Sequence, residues 1–186
     1  MSGAVEVNNT GRYRPLVAWI HWVSAALILY QIWLGFHFHD LPKGTPERAD
    51  AFLWHKTVGV IILLLSLWRL FVRLRNPPPP YPENMAGWEK ALSKAVQWAF
   101  YFLLIALPLT GLAAVSKGGA MTELAGGLSF PTIPIGGEMG DVHEVLVKVT
   151  IALLILHVAG ALKHLLIDRD ARGARMPMFS KRRIDG

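Results

Sequence analysis

The chain has 186 residues, of which 53% are hydrophobic and only 17% charged, a balance that points away from a soluble domain and towards a membrane protein. Basic residues outnumber acidic ones 19 to 13, but no basic patch is interleaved with aromatics in the manner of a nucleic-acid binder. The absence of cysteine excludes disulfides, thiolate-held iron–sulfur clusters and thioether attachment of a haem.

The first predicted helix, 14–38, contains the run Leu16 to Phe36, which holds no Asp, Glu, Lys or Arg and is long enough to cross about 30 Å of hydrocarbon. Arg12 and Arg14 ahead of it suggest a signal peptide, but the run is too long and leads into "LGFHFHDLPKG" rather than a small-residue cleavage site, so it is expected to be retained. That last stretch reads as a helix terminus entering a turn. The second predicted helix, 51–74, is apolar with Lys56 and Arg69 towards its ends. "RNPPPPYPEN" then breaks the chain, because consecutive prolines favour polyproline II and cannot continue a helix.

The third predicted helix, 88–116, carries the uncharged run Ala95 to Ser116 and a central Pro108 expected to bend it. The segment "KGGAMTELAGGLSFPTIPIGGEMGD" that follows is glycine-rich, shows no strand periodicity and is placed to cap what lies beneath it. The fourth predicted helix, 142–167, precedes a basic tail, 168–186, to which no chemistry is assigned beyond contact with anionic lipid. The expected fold is all-α: one membrane domain, 1–186, made of a four-transmembrane-helix bundle.

Orientation follows from charge. The N-terminus, the loop between the second and third helices, and the C-terminus share one side, and with the adjoining helix ends they hold 14 of the 19 basic residues. The positive-inside rule therefore expects both termini in the cytoplasm.

The seven histidines sort by depth. His21 lies near the cytoplasmic end of the first helix, and His55 near the periplasmic start of the second. On the fourth helix His143 is high, and His157 is lower by about 21 Å of helix rise. The step between them also comes within roughly 40° of whole turns, so both rings leave nearly one face. Depth alone thus pairs His55 with His143 and His21 with His157.

Two neutral imidazoles facing each other between helices suit a six-coordinate haem iron, whereas zinc wants three or four protein ligands. Small residues beside the candidate ligands, Ala18, Ala25, Gly59 and Gly160, would leave room for a flat macrocycle, although such residues also serve plain helix packing. Arg69 lies nearly four helical turns beyond His55 and reaches the depth of the lower pair, where it is a candidate cofactor-binding cation for a propionate. Snorkelling to headgroups is the competing reading.

A single intramembrane histidine is more often a hydrogen bonder between helices than a metal ligand; four in two depth-matched pairs are harder to explain that way. His39 is the rival to His55, since the step from His21 to His39 is a whole number of turns, but it falls where the first helix ends. His37 is expected at the interface. His164, two turns past His157, could hydrogen-bond a propionate, a lipid or a quinone carbonyl.

Taken together, "RPLVAWIHW", "LWHKTVG", "WRLFVRLRNPPPP", "ALPLTGL", "VHEVL" and "LHVAGALKH" resemble the bacterial cytochrome b561 family, specifically its small di-haem inner-membrane proteins that oxidise superoxide and reduce ubiquinone. The resemblance covers nearly the whole chain. It implies two non-covalent b haems, with His21 and His157 on the cytoplasmic-side iron and His55 and His143 on the periplasmic-side iron. It also implies a bacterial inner-membrane location and superoxide:ubiquinone oxidoreductase activity.

For superoxide, Lys56 and Lys117 are the candidate attracting cations, although the periplasmic segments carry five basic against seven acidic residues and any steering must be local. For the quinone, His164 and Lys94 are the cytoplasmic candidates. Two other readings stay open. One is a membrane-anchor cytochrome b subunit relaying electrons between a dehydrogenase or hydrogenase partner and the quinone pool. The other is a haem-free metal-binding or transport protein, which the lack of carboxylates along the spans disfavours.

Overall fold

A computed structural model describes residues 15–76, 78, 80–81, 85–135 and 138–167. Residue 14 and the tail 168–186 lie outside the described residues, as do the side chains of Lys117 and His164.

Four long helices, α1 (Pro15–Asp40), α2 (Pro46–Arg75), α3 (Gly87–Ala114) and α4 (Met139–Leu162), run antiparallel to their neighbours in sequence, and α4 closes on a wide turn, Lys163–Ile167. All four are long and apolar enough to cross a membrane. Large apolar side chains such as Leu29, Leu64, Phe102, Ile155 and Leu156 stay exposed on their outer surfaces, the pattern of helices whose solvent is lipid.

α2 starts more than a turn before the apolar run. Thr45 Oγ1 accepts the Arg48 N–H at 3.3 Å, Pro46 occupies the first turn and Glu47 adds a carboxylate there, so polar residues supply the first turn that hydropathy alone leaves out. α1 also runs on to Asp40. Its free carbonyls are taken by Arg48, whose Nη1 donates to Phe38 O at 2.5 Å, His39 O at 3.1 Å and Leu41 O at 2.7 Å. At the other end of α2, Asn76 donates from its backbone and side chain to Val72 O, both at 2.9 Å.

The glycine-rich segment is not purely irregular. It forms a hairpin of β1 (Met121–Glu123) and β2 (Ser129–Pro131), turned by Gly126 and Gly127 at φ of 80° and 73°. Strands this short leave no room for alternation to show in a sequence. The hairpin is seated: Ala125 N–H donates to Thr57 Oγ1 at 2.8 Å, and Leu124, Phe130 and Ile133 pack on Val60, Leu63 and Leu112.

A second apolar cluster, Leu34, Val58, Ile62 and Leu104, joins α1, α2 and α3. Close backbone approach runs α1 to α2, α2 to α3 and α3 to α4, while α4 approaches α1 and α2 only marginally. Side chains, not backbones, bridge that separation.

Candidate functional site

The bridging side chains are imidazoles. His21, in the second turn of α1, faces His157, in the penultimate turn of α4, with ring centres 6.4 Å apart and planes at 65°. His55 of α2 faces His143 of α4 with centres 6.3 Å apart and planes at 78°. Two imidazoles bound to opposite sides of one metal ion by bonds of about 2 Å have ring centres roughly 6 Å apart, so both spacings fit a shared iron. No group of three or more His, Cys, Asp or Glu converges among the described residues. Each pair is therefore a two-donor set, which matches a porphyrin that brings its own four nitrogens.

The upper pair also shows how a ring is aimed. His143 Nδ1 lies 2.9 Å from the Leu107 carbonyl and 3.2 Å from Thr110 Oγ1. A carbonyl can only accept, so Nδ1 carries the proton and Nε2 keeps the lone pair a metal needs. Close by, a Cβ placed on Gly111 would sit 3.4 Å from His143 Cε1, and one on Gly35 would sit 3.3 Å from His55 Cε1. Gly35 on α1 leaves His55 the space a Cβ would crowd, and Gly111 on α3 borders His143 at ordinary contact distance. Aromatic edges complete the surroundings: Phe38 lies 5.3 Å from His55, Trp22 5.4 Å from His21 and Phe100 5.3 Å from His157.

Sequence reading missed Gly35 and Gly111. A signal for Gly35 existed, since the step from His21 to Gly35 is nearly four turns and puts the glycine on the same face at the height of the other pair. Of the small residues named from sequence, Ala18 is buried, Gly59 makes room for the Gln31 amide, and Gly160 borders open space.

Arg69 is near enough to His21 to act on it electrostatically and makes polar contacts of its own. Lys56 is tied down: its Nζ donates to Thr122 Oγ1 at 3.0 Å, lies 5.3 Å from the Phe52 ring centre and feels the charge of Glu123. Lys94 is exposed on α3, and the side chains of Lys117 and His164 lie outside the described residues. His39 is exposed with its ring on Phe38, and His37 stacks on Trp33.

Comparison with known families settles what kind of bundle this is. The family model described as prokaryotic cytochrome b561 matches residues 12–177, which include all four helices and all four paired histidines. The chain belongs to the prokaryotic cytochrome b561 family. Members of this family bind haem b and carry electrons across membranes. Among curated relatives, the chain is 26% identical over 174 residues to cytochrome b561 homolog 2 of Escherichia coli (strain K12), covering 91% of this chain and 93% of the relative. It is also 26% identical over 172 residues to the probable superoxide oxidase CybB of Yersinia pestis, covering 89% and 95%. Cytochrome b561 homolog 1 of E. coli matches at 21% over 173 residues, covering 89% and 96%.

Proposed function

We propose that this cytochrome b561 holds two b haems, one between His21 and His157 and one between His55 and His143, and uses them to oxidise superoxide at the hairpin end and reduce ubiquinone. The observation that carries the reading is the pair of ring separations, 6.4 and 6.3 Å, at two levels of one bundle. Each haem, when bound, supplies a one-electron couple. Two superoxide ions each lose one electron to become dioxygen, and ubiquinone taking both electrons with two protons becomes ubiquinol.

The chain's own residues divide that work. His143 is presented through Nε2 because Leu107 holds its Nδ1 proton, and Arg69 offers a cation beside the lower pair. Lys56 supplies positive charge next to His55, restrained by Thr122. An apolar groove lined by Leu70, Trp98, Tyr101, Phe102, Ile105, Ala106 and Leu109 opens between α2 and α3, and Lys94 lies one turn from Trp98 on the same face. That arrangement suits a quinone ring near a proton donor with its tail in lipid.

By this reading the protein sits in the bacterial inner membrane with both termini cytoplasmic, which reporter fusions at residue 186 and in the hairpin would test. The activity test mixes purified protein with superoxide and a short-chain ubiquinone in a stopped-flow spectrometer. Reduction of b-type bands followed by ubiquinol formation is expected. Quinone reduction that needs an added dehydrogenase or hydrogenase would assign the relay role instead, and a spectrum without b-type bands would overturn both.

A further inference from the structure

Two buried side-chain atoms among the described residues lack a hydrogen-bond partner, and both belong to one contact: Gln31 Oε1 and His55 Nδ1. Gln31 reaches from α1 onto α2, donating from Nε2 to the His55 backbone carbonyl at 3.0 Å, with the same nitrogen 3.3 Å from His55 Nε2. Gly59 permits this approach, since a Cβ there would meet the amide nitrogen at 3.3 Å. An amide nitrogen can only donate, so His55 Nε2 is the accepting nitrogen and Nδ1 carries the proton. His55 thus has the same tautomer as His143. The difference is at Nδ1: for His143 a carbonyl takes the proton, whereas for His55 no acceptor is in place, and the oxygen of the Gln31 carboxamide that touches His55 through its nitrogen has no donor.

We propose that Gln31 is the positioning residue for His55: when iron takes the Nε2 lone pair, the Gln31 carboxamide oxygen accepts the Nδ1 proton, as the Leu107 carbonyl does for His143. The proposal rests on His55 and His143 being one ligand pair. Metal-bound histidines ordinarily pass their second N–H to an acceptor, which fixes the ring and makes it a stronger donor to the metal. Engagement of Nε2 removes the longer of the two contacts of the Gln31 amide nitrogen, which leaves the carboxamide tethered only through the His55 carbonyl and able to turn its oxygen towards Nδ1. Gly35, one turn along α1 from Gln31, borders the same ring, so a single helix face both makes room for His55 and holds it.

The test is redox titration and haem quantification of purified holoprotein carrying Gln31→Leu or Gln31→Glu. A stronger ligand favours ferric iron, so losing the acceptor raises the midpoint potential. Gln31→Leu is expected to raise the potential of one haem and leave the other at its wild-type value, while Gln31→Glu, which keeps an acceptor oxygen in nearly the same shape, lowers that same potential. Both variants with two haems at wild-type potentials would overturn the proposal and leave the haem reading standing. If Gln31→Leu loses one haem, restored content in Gln31→Glu supports the proposal, and equal loss in both reduces Gln31 to a packing residue and overturns it. Wild-type protein without two haems overturns the ligand pairing and this inference together.

Discussion

His143 Nδ1 and the Leu107 carbonyl stand 2.9 Å apart, across the contact between α4 and α3. That bond fixes the orientation of the His143 ring and, on the proposed reading, makes α3, which supplies no histidine, part of the upper haem site. Replacing Gly111, one turn beyond Leu107, should show this. Gly111→Val puts a branched side chain where even a Cβ would be 3.4 Å from the ring. Overpacking of this kind costs about 1–3 kcal/mol, so the variant should lose haem from the upper pair while keeping the lower, read as a near-halving of b-type absorbance.

Histidine replacements separate the pairs. His157→Ala should cost one haem and leave the other bound, and His55→Ala should do the same for the other level. His39→Ala should leave haem content unchanged, since His39 is exposed at the end of α1 with its ring on Phe38. Loss of a haem in His39→Ala together with full retention in His55→Ala would reassign the upper ligand.

The crossed ring planes, 65° in one pair and 78° in the other, have a spectroscopic consequence. If each pair holds one haem iron as proposed, imidazoles set near a right angle would leave the iron orbitals close in energy. Both oxidised haems should then give strongly anisotropic low-spin signals in electron paramagnetic resonance, whereas ordinary rhombic spectra would mean that the rings turn parallel in the holoprotein.

Arg48 closes the end of α1 against the start of α2 through three carbonyls and lies 5.4 Å from the centre of the Phe38 ring. Charge-assisted hydrogen bonds of this kind contribute about 2 kcal/mol. Arg48→Met should lower the midpoint of thermal unfolding in detergent, followed by haem absorbance, and Arg48→Lys should recover only part of the loss because its ammonium stops one bond short of the Nη1 position and gives up the planar group beside Phe38.

Lys56 tests the superoxide reading. Lys56→Met should slow the reaction with superoxide about tenfold at low salt and flatten its dependence on ionic strength, the signature of lost electrostatic steering. Thr122→Val, which releases the lysine from its hydroxyl partner but keeps its charge, should leave the salt dependence in place.

The bundle was legible in the sequence because hydrocarbon imposes a long-range rule: uninterrupted apolar length marks a span, as Leu16 to Phe36 and Ala95 to Ser116 do. The meeting of rings was legible because the step from His143 to His157 nearly completes four turns, which puts both on one face of α4 at two heights. Other features follow shorter-range rules. The start of α2 at Pro46 depends on a single threonine hydroxyl, and the hairpin on very short strands whose apolar anchors, Leu124 and Phe130, have no periodic company. Gly35 and Gly111 were lost among glycines that ordinary helix packing would also explain. Gln31 gave no signal at all, since a lone amide in a span reveals its partner only once α1 and α2 are placed side by side.

Both ring pairs borrow one member from α4, which leaves the ribosome after α1, α2 and α3, so a nascent chain that stops before Met139 presents only unpaired imidazoles at either height. If each pair grips a haem as proposed, neither cofactor can be clamped until α4 has been made, and its arrival closes both sites in one event.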